Sequence, residues 1–523
     1  MSQGIVERRL WSNSAWGYVR SAFRLVLGVA SFRLLCTDLT AEELGFYGLI
    51  WSFLGYGVVV DLGMGVTVQK RTGELLIRQD WKQLGRTLSS VLFCNCIWAV
   101  VIWVVGFGAT DLLLRSVEVS ARNSADFHIA LRVFFLGMGA LIPLEMFREV
   151  LHGQQRIAVA DGISTVSGVV SFILVVGALR MHWGLPVLLS LQMTCLIVTD
   201  VVLALSALGA MPEVRLRIRD VSWSVLRGMA RFSAHAYIVV IAGIIVLQMD
   251  RFLVGTILSV SAVATYHIGA KVPELCAAFT QQLPGALAPA AAALHGKGNH
   301  SNWQLFFRQG IRLNALITTP LFILCMVFLE NILGLLVPSR ANDTTIILLG
   351  RTLLIWTYST ILTHGITKAV FLMCGREERL VRLLIMEALA NLATTYLLLH
   401  WLESPIGAAV GSLVPALIMG WGFLWPWAAR EIGTTPVRLV RDTLIPAFVA
   451  SGPLLAFGLL CRVVPFFDAR WSIPAFFVEG IVAVAIAALG TWRLGLETEE
   501  RTTILARFRE TLTRVRSLQP WFS

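Results

Sequence analysis

Charged residues are scarce in this chain, and so is room for a soluble domain. Of its 523 residues, 14% are charged and 56% are hydrophobic, whereas a soluble domain carries roughly 25% charged residues. The longest connections between apolar stretches have about 20–25 residues, too few for a catalytic domain outside a membrane. These shortages exclude a soluble enzyme.

Enzyme and metal signatures are also missing. The sequence has no P-loop and no Gly-x-Ser-x-Gly, His-Glu-x-x-His or Cys-x-x-Cys motif. Its eight cysteines are scattered through apolar stretches, and its basic residues form no nucleic-acid-binding domain. We therefore expect no catalytic residues, no metal site, no cofactor and no nucleic-acid partner.

What the chain has instead is a series of apolar blocks. About 14 stretches of roughly 20 residues, the length of a membrane-crossing helix, are separated by short charged connections. Alternate connections hold about 29 Lys and Arg residues, and the others hold only 6. Because basic residues are enriched in cytoplasmic loops, the pattern predicts an all-α polytopic membrane protein. It predicts about 14 transmembrane helices, with both termini in the cytoplasm.

Two short motifs recur at nearly the same offset. Tyr47 and Tyr266 lie in similar segments, Gly153 and Gly375 open similar spans, and the two offsets agree to within a few positions. Each offset equals six helices, so the two repeats have the same orientation in the membrane. We predict an N-terminal lobe (1–210, helices 1–6), a C-terminal lobe (211–430, helices 7–12), helices 13 and 14 (431–495) and a basic amphipathic cytoplasmic tail (496–523).

Four of the segments resemble a known family. They are Phe32-Arg-Leu-Leu35, Leu44-Gly-Phe-Tyr-Gly-Leu49, Asp61-Leu-Gly-Met-Gly65 and Asp250-Arg-Phe-Leu-Val-Gly255. Together they are similar to the Wzx-type polysaccharide flippases of the multidrug/oligosaccharidyl-lipid/polysaccharide (MOP) exporter superfamily. The resemblance implies a transporter that flips undecaprenyl-pyrophosphate-linked oligosaccharide from the cytoplasmic to the outer leaflet of the bacterial inner membrane. Such glycans serve O-antigen, capsule or exopolysaccharide synthesis, which implies a polysaccharide polymerase and glycosyltransferases as partners.

Three alternative functions stay open. Fourteen helices are similar to the lipid II flippases of the same superfamily, which carry a peptidoglycan precursor. A cation-coupled drug antiporter is the second alternative, although its cavity would favour acidic residues. A membrane glycan polymerase or glycosyltransferase is the third, although it would normally carry a larger extramembrane loop or an acidic catalytic motif.

Basic residues inside the apolar blocks are the candidate substrate-binding residues. An ionisable group at membrane depth costs roughly 2.5–3.5 kcal/mol, so it normally faces a partner or a wet cavity. Arg20, Arg24, Arg251 and Lys271 are such residues, and arginine binds phosphate through bidentate, charge-assisted hydrogen bonds. We predict that they line a cationic cavity. Alternatively, Arg20 and Arg24 extend to the membrane surface, and Arg251 and Lys271 form structural ion pairs.

Two acidic residues lie at similar depth. Asp61 and Asp250 interrupt the second and seventh apolar blocks. Because there is no P-loop, ATP is not expected to drive transport directly. We predict that these carboxylates couple transport to H⁺ or Na⁺. Alternating access would then use helices 1, 2, 7 and 8 around a central cavity.

Overall fold

A computed structural model describes most of the chain, and its regular structure there is entirely helical. The described residues are 26–60, 64–117, 120, 123–281, 283–284, 300–373, 377–463, 473–498 and 500–502.

The helices before the long connector at 210–222 are mostly long. They are α1 (26–38), α2 (Ala41–Val60), α3 (Met64–Arg78), α4 (Trp81–Ser116), α5 (Ser124–Gly153), α6 (Ile157–Arg180) and α7 (Leu185–Gly209).

The helices after that connector include three π-helical turns. They are α8 (Trp223–Ile257), α9 (Val260–Thr280), α10 (His300–Val327), α11 (Leu329–Leu336), α12 (Thr344–Thr360), α13 (Ile366–Met373), α14 (Glu377–Leu402), α15 (Ile406–Met419), α16 (Trp425–Ile432), α17 (Pro436–Val463) and α18 (Ile473–Gly490). The π-turns are Ile361–Gly365 between α12 and α13, Gly420–Leu424 between α15 and α16, and Thr491–Gly495 after α18.

Membrane-crossing segments dominate the described part of the chain. Ten of its helical segments are long and apolar enough to cross a bilayer. The prediction of an all-α polytopic membrane protein is confirmed, while the total of about 14 helices stays a prediction. Helices α4 and α8 begin well before their apolar blocks, and the N-terminus of α4 is capped, which stabilises a helix that starts in polar sequence. In α4, the Asp80 side chain accepts a hydrogen bond from the Gln83 N–H at 2.9 Å.

The helices recur with the offset that the sequence motifs predicted. Five pairs of helices begin at almost the same separation along the chain: α2 with α9, α4 with α10, α5 with α12, α6 with α14, and α7 with α15. The turn after α6 holds His182 at φ 52°, and the turn after α14 holds Glu403 at φ 46°. Non-glycine residues rarely adopt a positive φ, so these two turns, at corresponding positions of the two repeats, are a further match. The domain boundaries predicted above stay a prediction.

Helix contacts group into two compact units. The first runs to Ala270 and adds Leu336–Leu349 and Glu377–Pro415; the second comprises Lys271–Leu335, Gly350–Arg376 and the chain from Ala416 onward. In the first unit, an apolar core forms between α3, α4, α5 and α7, with Leu84, Leu88 and Val150 fully buried. The candidate site described below lies mostly in this unit.

Two π-turns face each other in the second unit. A Cβ added at Gly420 would lie within 3.0 Å of the Thr363 side chain, so the two turns are packed closely. A π-turn leaves a backbone carbonyl outside the regular helix pattern. Here the Asn314 side chain of α10 donates a hydrogen bond to the Ile361 carbonyl at 3.0 Å. Glycine at 420 is therefore required by the close approach of the two helices.

Candidate functional site

A buried carboxylate on α8 is the centre of a polar cluster. Asp250 is only 1% exposed and lies two turns before the end of its helix. Its Oδ2 atom accepts hydrogen bonds from the Tyr266 hydroxyl at 2.8 Å and from Ser412 Oγ at 2.6 Å. Its Oδ1 atom accepts a longer bond from Thr395 Oγ1 at 3.4 Å. We call these residues, together with Asn391, the Asp250 cluster; they come from α8, α9, α14 and α15.

The hydrogen-bond pattern fixes the orientation of Asn391. Ser412 has one hydroxyl hydrogen and gives it to Asp250, so it must accept the bond from Asn391 Nδ2, at 2.8 Å. This leaves Asn391 Oδ1 buried and without a donor among the described residues. A buried oxygen without a partner costs free energy. The cluster therefore has acceptor capacity left at Asn391 Oδ1 and, through its long bond, at Asp250 Oδ1.

Arg251 lies next to this cluster. Its side chain is 7% exposed, and its Nη1 donates a hydrogen bond to Gln248 Oε1, one turn earlier on α8, at 3.1 Å. Burying a guanidinium at this level requires polar partners and charge compensation. The structure thus places a cation and a carboxylate side by side in α8.

Of the other predicted site residues, the structure describes Lys271 alone. Lys271 is half-buried on α9, with Glu274 one turn later on the same helix, and it belongs to the second unit. Arg20, Arg24 and Asp61 lie outside the described residues. Only Asp250 and Arg251 are therefore seen together, and the role of the whole set stays a prediction.

The residues around Asp250 were not predicted from the sequence. Asn391 and Thr395 are one turn apart on α14, so they lie on one face of that helix, and both are fully buried. Two amide or hydroxyl side chains at this spacing inside an apolar block are the signal that was available. The first repeat has a related contact, because Gln192 Nε2 donates to the Tyr47 hydroxyl at 3.1 Å. Tyr47 and Tyr266 thus each make a side-chain hydrogen bond, and among the described residues the bond of Tyr266 is to a carboxylate, whereas that of Tyr47 is to an amide.

Helices α2 and α9 approach each other closely near their first turns. A Cβ at Gly45 would overlap the Val260 carbonyl oxygen, and one at Gly48 would lie 3.0 Å from the His267 ring. The same ring makes an edge contact with Phe32 of α1, at 5.3 Å between centroids. We call this the α2–α9 contact. In the predicted topology both helices begin on the outer side, so we expect this contact to close the outer end of α2 and α9.

Replacing Gly45 with Ala is expected to disrupt the α2–α9 contact and to reduce transport. The added methyl group meets backbone, which cannot rotate away, and overpacking costs about 1–3 kcal/mol. A change of about 2 kcal/mol shifts a two-state equilibrium roughly 30-fold. The measurement is disulfide cross-linking between introduced cysteines on α2 and α9. Gly108→Ala on α4, where the Cβ meets nothing within 4 Å, is the control and should change neither cross-linking nor transport. Equal cross-linking in both variants would contradict the prediction.

Comparison with known proteins gives relatives that have low sequence identity to this chain and that are described in similar terms. A putative O-antigen transporter of Shigella flexneri is 20% identical over 266 residues, which cover 50% of this chain and 61% of that protein. A probable low-salt glycan biosynthesis flippase of Haloferax volcanii is 19% identical over 346 residues, covering 64% of this chain and 68% of that protein. The aligned region thus spans less than two thirds of the Shigella protein.

Solved structures share the fold over most of the chain. The lipid II flippase MurJ, in an inward closed conformation, has a TM-score of 0.68 at 10% identity, covering 91% of this chain and 97% of that one. An inward-facing multidrug resistance transporter of the MATE family has a TM-score of 0.68 at 17% identity, covering 80% and 96%. At such identities the likeness establishes the fold alone.

A family described as polysaccharide biosynthesis protein matches residues 34–344, more than half of the chain. Together with the relatives and the fold, this match confirms the resemblance to the polysaccharide flippases of the MOP superfamily. It also confirms that the chain falls among transporters rather than enzymes. The protein therefore belongs to the polysaccharide biosynthesis protein family, on the MOP exporter fold.

Proposed function

We propose that this protein flips undecaprenyl-pyrophosphate-linked oligosaccharide from the cytoplasmic to the outer leaflet of the bacterial inner membrane. The observation that carries the proposal is a buried arginine, Arg251, at membrane depth in a chain of this family. The descriptions of the Shigella and Haloferax relatives support a glycan substrate. The product would serve surface polysaccharide synthesis, upstream of a polymerase and downstream of glycosyltransferases.

The proposed substrate contacts are cationic. Arg251, with Arg20, Arg24 and Lys271, would bind the pyrophosphate or acidic sugars while the lipid tail stays in the bilayer. A phosphate that leaves water loses its hydrogen bonds to water, and a guanidinium compensates by donating two parallel hydrogen bonds to it. Alternating access, with the α2–α9 contact open or closed, would expose the site to one leaflet at a time.

The proposed coupling site is the Asp250 cluster. Its carboxylate, amide and hydroxyl groups are oxygen ligands, which suit H⁺ or a hard cation such as Na⁺. The acceptor capacity left at Asp250 Oδ1 and Asn391 Oδ1 supports an additional positive ligand there. Asp61 would act with it in the first repeat.

The alternatives differ in substrate. A lipid II flippase and a MATE multidrug transporter share this fold, so a peptidoglycan precursor and a cationic drug are the alternative substrates to test. Three proteoliposome preparations test these functions. Each holds one candidate substrate in its inner leaflet: a lipid-linked oligosaccharide, lipid II or a cationic drug. An impermeant glycosidase or lectin outside the vesicle measures glycan arrival. Flipping of the oligosaccharide alone supports the proposal, and no flipping of it contradicts the proposal.

Cytoplasmic termini are part of the proposal and predict a labelling pattern. Pro212 and Ser339 are both exposed, on connections of opposite predicted side. A cysteine at 339 should react with an impermeant reagent added outside intact cells, whereas one at 212 should react only after the membrane is opened. Labelling of the cysteine at 212 in intact cells would overturn the topology.

A further inference from the structure

The connector between α7 and α8 is fixed to the first turns of α4. The backbone N–H of Arg217 donates to Ser89 Oγ at 3.0 Å, and that of Ser222 donates to Ser90 Oγ at 2.9 Å. A Cβ at Gly85 would lie 3.1 Å from the Arg215 carbonyl oxygen, so the connector runs directly over α4. These contacts hold the connector in a defined position on the surface of the first unit.

One face of this connector is basic and apolar at once. Val214 is buried in the core beside α4, while Arg215, Arg217 and Arg219 are exposed. Between and after them, two large apolar side chains are also exposed. They are Ile218, 81% exposed, and Trp223, 75% exposed.

The first turns of α4 extend the same basic surface. Lys82 and Arg86 are exposed there. Arg86 directly follows Gly85, which lies against the Arg215 backbone. The acidic residues of the connector are Glu213 and Asp220, so the arginines outnumber them. We call Lys82, Arg86 and residues 215–223 the connector face.

The cations of the connector face lack ion-pair partners. None of Lys82, Arg86, Arg215, Arg217 and Arg219 has a carboxylate within 4.0 Å in the described part of the chain.

Some arginines of the second unit are paired with a carboxylate. Arg308 of α10 lies 2.6 Å from Asp442 of α17, and Arg438 and Arg441 lie 3.7 Å and 3.5 Å from the same carboxylate. The connector face is thus a cationic surface that has no carboxylate partner in the described part of the chain.

We propose that the connector face binds anionic phospholipid headgroups of the inner leaflet. The arginines would pair with headgroup phosphates, and Ile218 and Trp223 would enter the interface, where tryptophan is enriched. A soluble acidic partner would match the arginines but would leave no reason for two exposed apolar side chains among them. The proposal goes beyond the proposed transport function, because it needs neither the glycan nor the coupling ion.

An environment-sensitive fluorophore at position 218 tests the proposal. The full-length I218C variant is labelled with a water-soluble nitrobenzoxadiazole reagent, and the unsubstituted protein gives the background from native cysteines. Emission should be brighter and blue-shifted in nanodiscs that contain phosphatidylglycerol, relative to phosphatidylcholine discs. Salt at about 1 M should remove the difference, since the Debye length is then about 3 Å.

Charge variants separate lipid binding from mere proximity to the membrane. In the labelled background, R215Q/R217Q/R219Q should remove most of the response to phosphatidylglycerol, because each arginine strengthens binding to anionic lipid roughly fivefold, whereas R215K/R217K/R219K should keep most of it. R438Q/R441Q, which removes exposed arginines that already have a carboxylate partner, is the matched control and should behave like the parent. Equal emission in both lipids overturns the proposal. A response to inorganic pyrophosphate in phosphatidylcholine discs, with none to phosphatidylglycerol, also overturns it by identifying a soluble-anion site.

Discussion

Replacing Arg251 with Ala is expected to abolish glycan export while protein level and membrane insertion stay normal. A charge-assisted hydrogen bond contributes about 1.5–3 kcal/mol, so losing a bidentate pair should slow flipping by at least about 100-fold. Arg24→Ala is expected to act in the same way, since Arg24 is predicted to face the same cavity. The measurement is arrival of lipid-linked glycan at the outer leaflet, by lectin binding to intact cells.

Two further variants make the Arg251 result specific. Arg251→Lys keeps the charge but loses the planar fork, so it should retain partial export. Arg132→Ala removes an arginine from α5 whose side chain is exposed, and it should export normally. Normal export by the double variant Arg24→Ala/Arg251→Ala, present at the parent level, would rule out the proposed role.

Replacing Asp250 with Asn is expected to disconnect transport from the ion gradient. The amide has nearly the same shape, so the protein should fold, but it carries no charge to exchange with H⁺ or Na⁺. One elementary charge moved through about 100 mV supplies about 2.3 kcal/mol, or a roughly 50-fold bias in distribution. That bias should disappear in proteoliposomes, where flipping is followed with and without an imposed H⁺ or Na⁺ gradient.

Asp200 offers the matched control for Asp250. It is also a buried aspartate of a membrane helix, α7, and its Oδ1 lies 3.8 Å from Arg148 Nη2. Asp200→Asn should leave the gradient response intact. Ser412→Ala and Thr395→Ala each remove one hydrogen bond to Asp250 and should weaken the response without abolishing it. A full gradient response in the Asp250→Asn protein would eliminate this site from coupling.

Much of the fold could be predicted because apolar block length and repeat offset are local properties. A block of roughly 20 apolar residues has one stable form in a bilayer, and the spacing between Tyr47 and Tyr266 recurs in the helix starts. Helix ends and π-turns could not be predicted in this way. The first depend on capping groups such as Asp80, and the second depend on contacts such as that between Thr363 and Gly420.

The candidate site could be predicted only in part. Membrane depth marks Asp250 and Arg251 as candidates, because charge is costly there, but it marks Asp200 in the same way. The groups that surround Asp250 are neutral, and Ser412 is 162 residues away along the chain. Their convergence is a product of helix packing, so no local pattern identifies them as a set.

The π-turn at Gly420–Leu424 also bears on how the two repeats have diverged. A π-turn accommodates one added residue inside a helix, so it accounts for one of the two residues by which the segment Ile406–Ile432, with 27 residues, exceeds α7, with 25. The added residues come after the α14–α15 turn in the chain. Glu403 can therefore keep the left-handed conformation that His182 adopts at the corresponding turn of the first repeat. A repeat can thus gain residues within the bilayer while its surface turns stay in place.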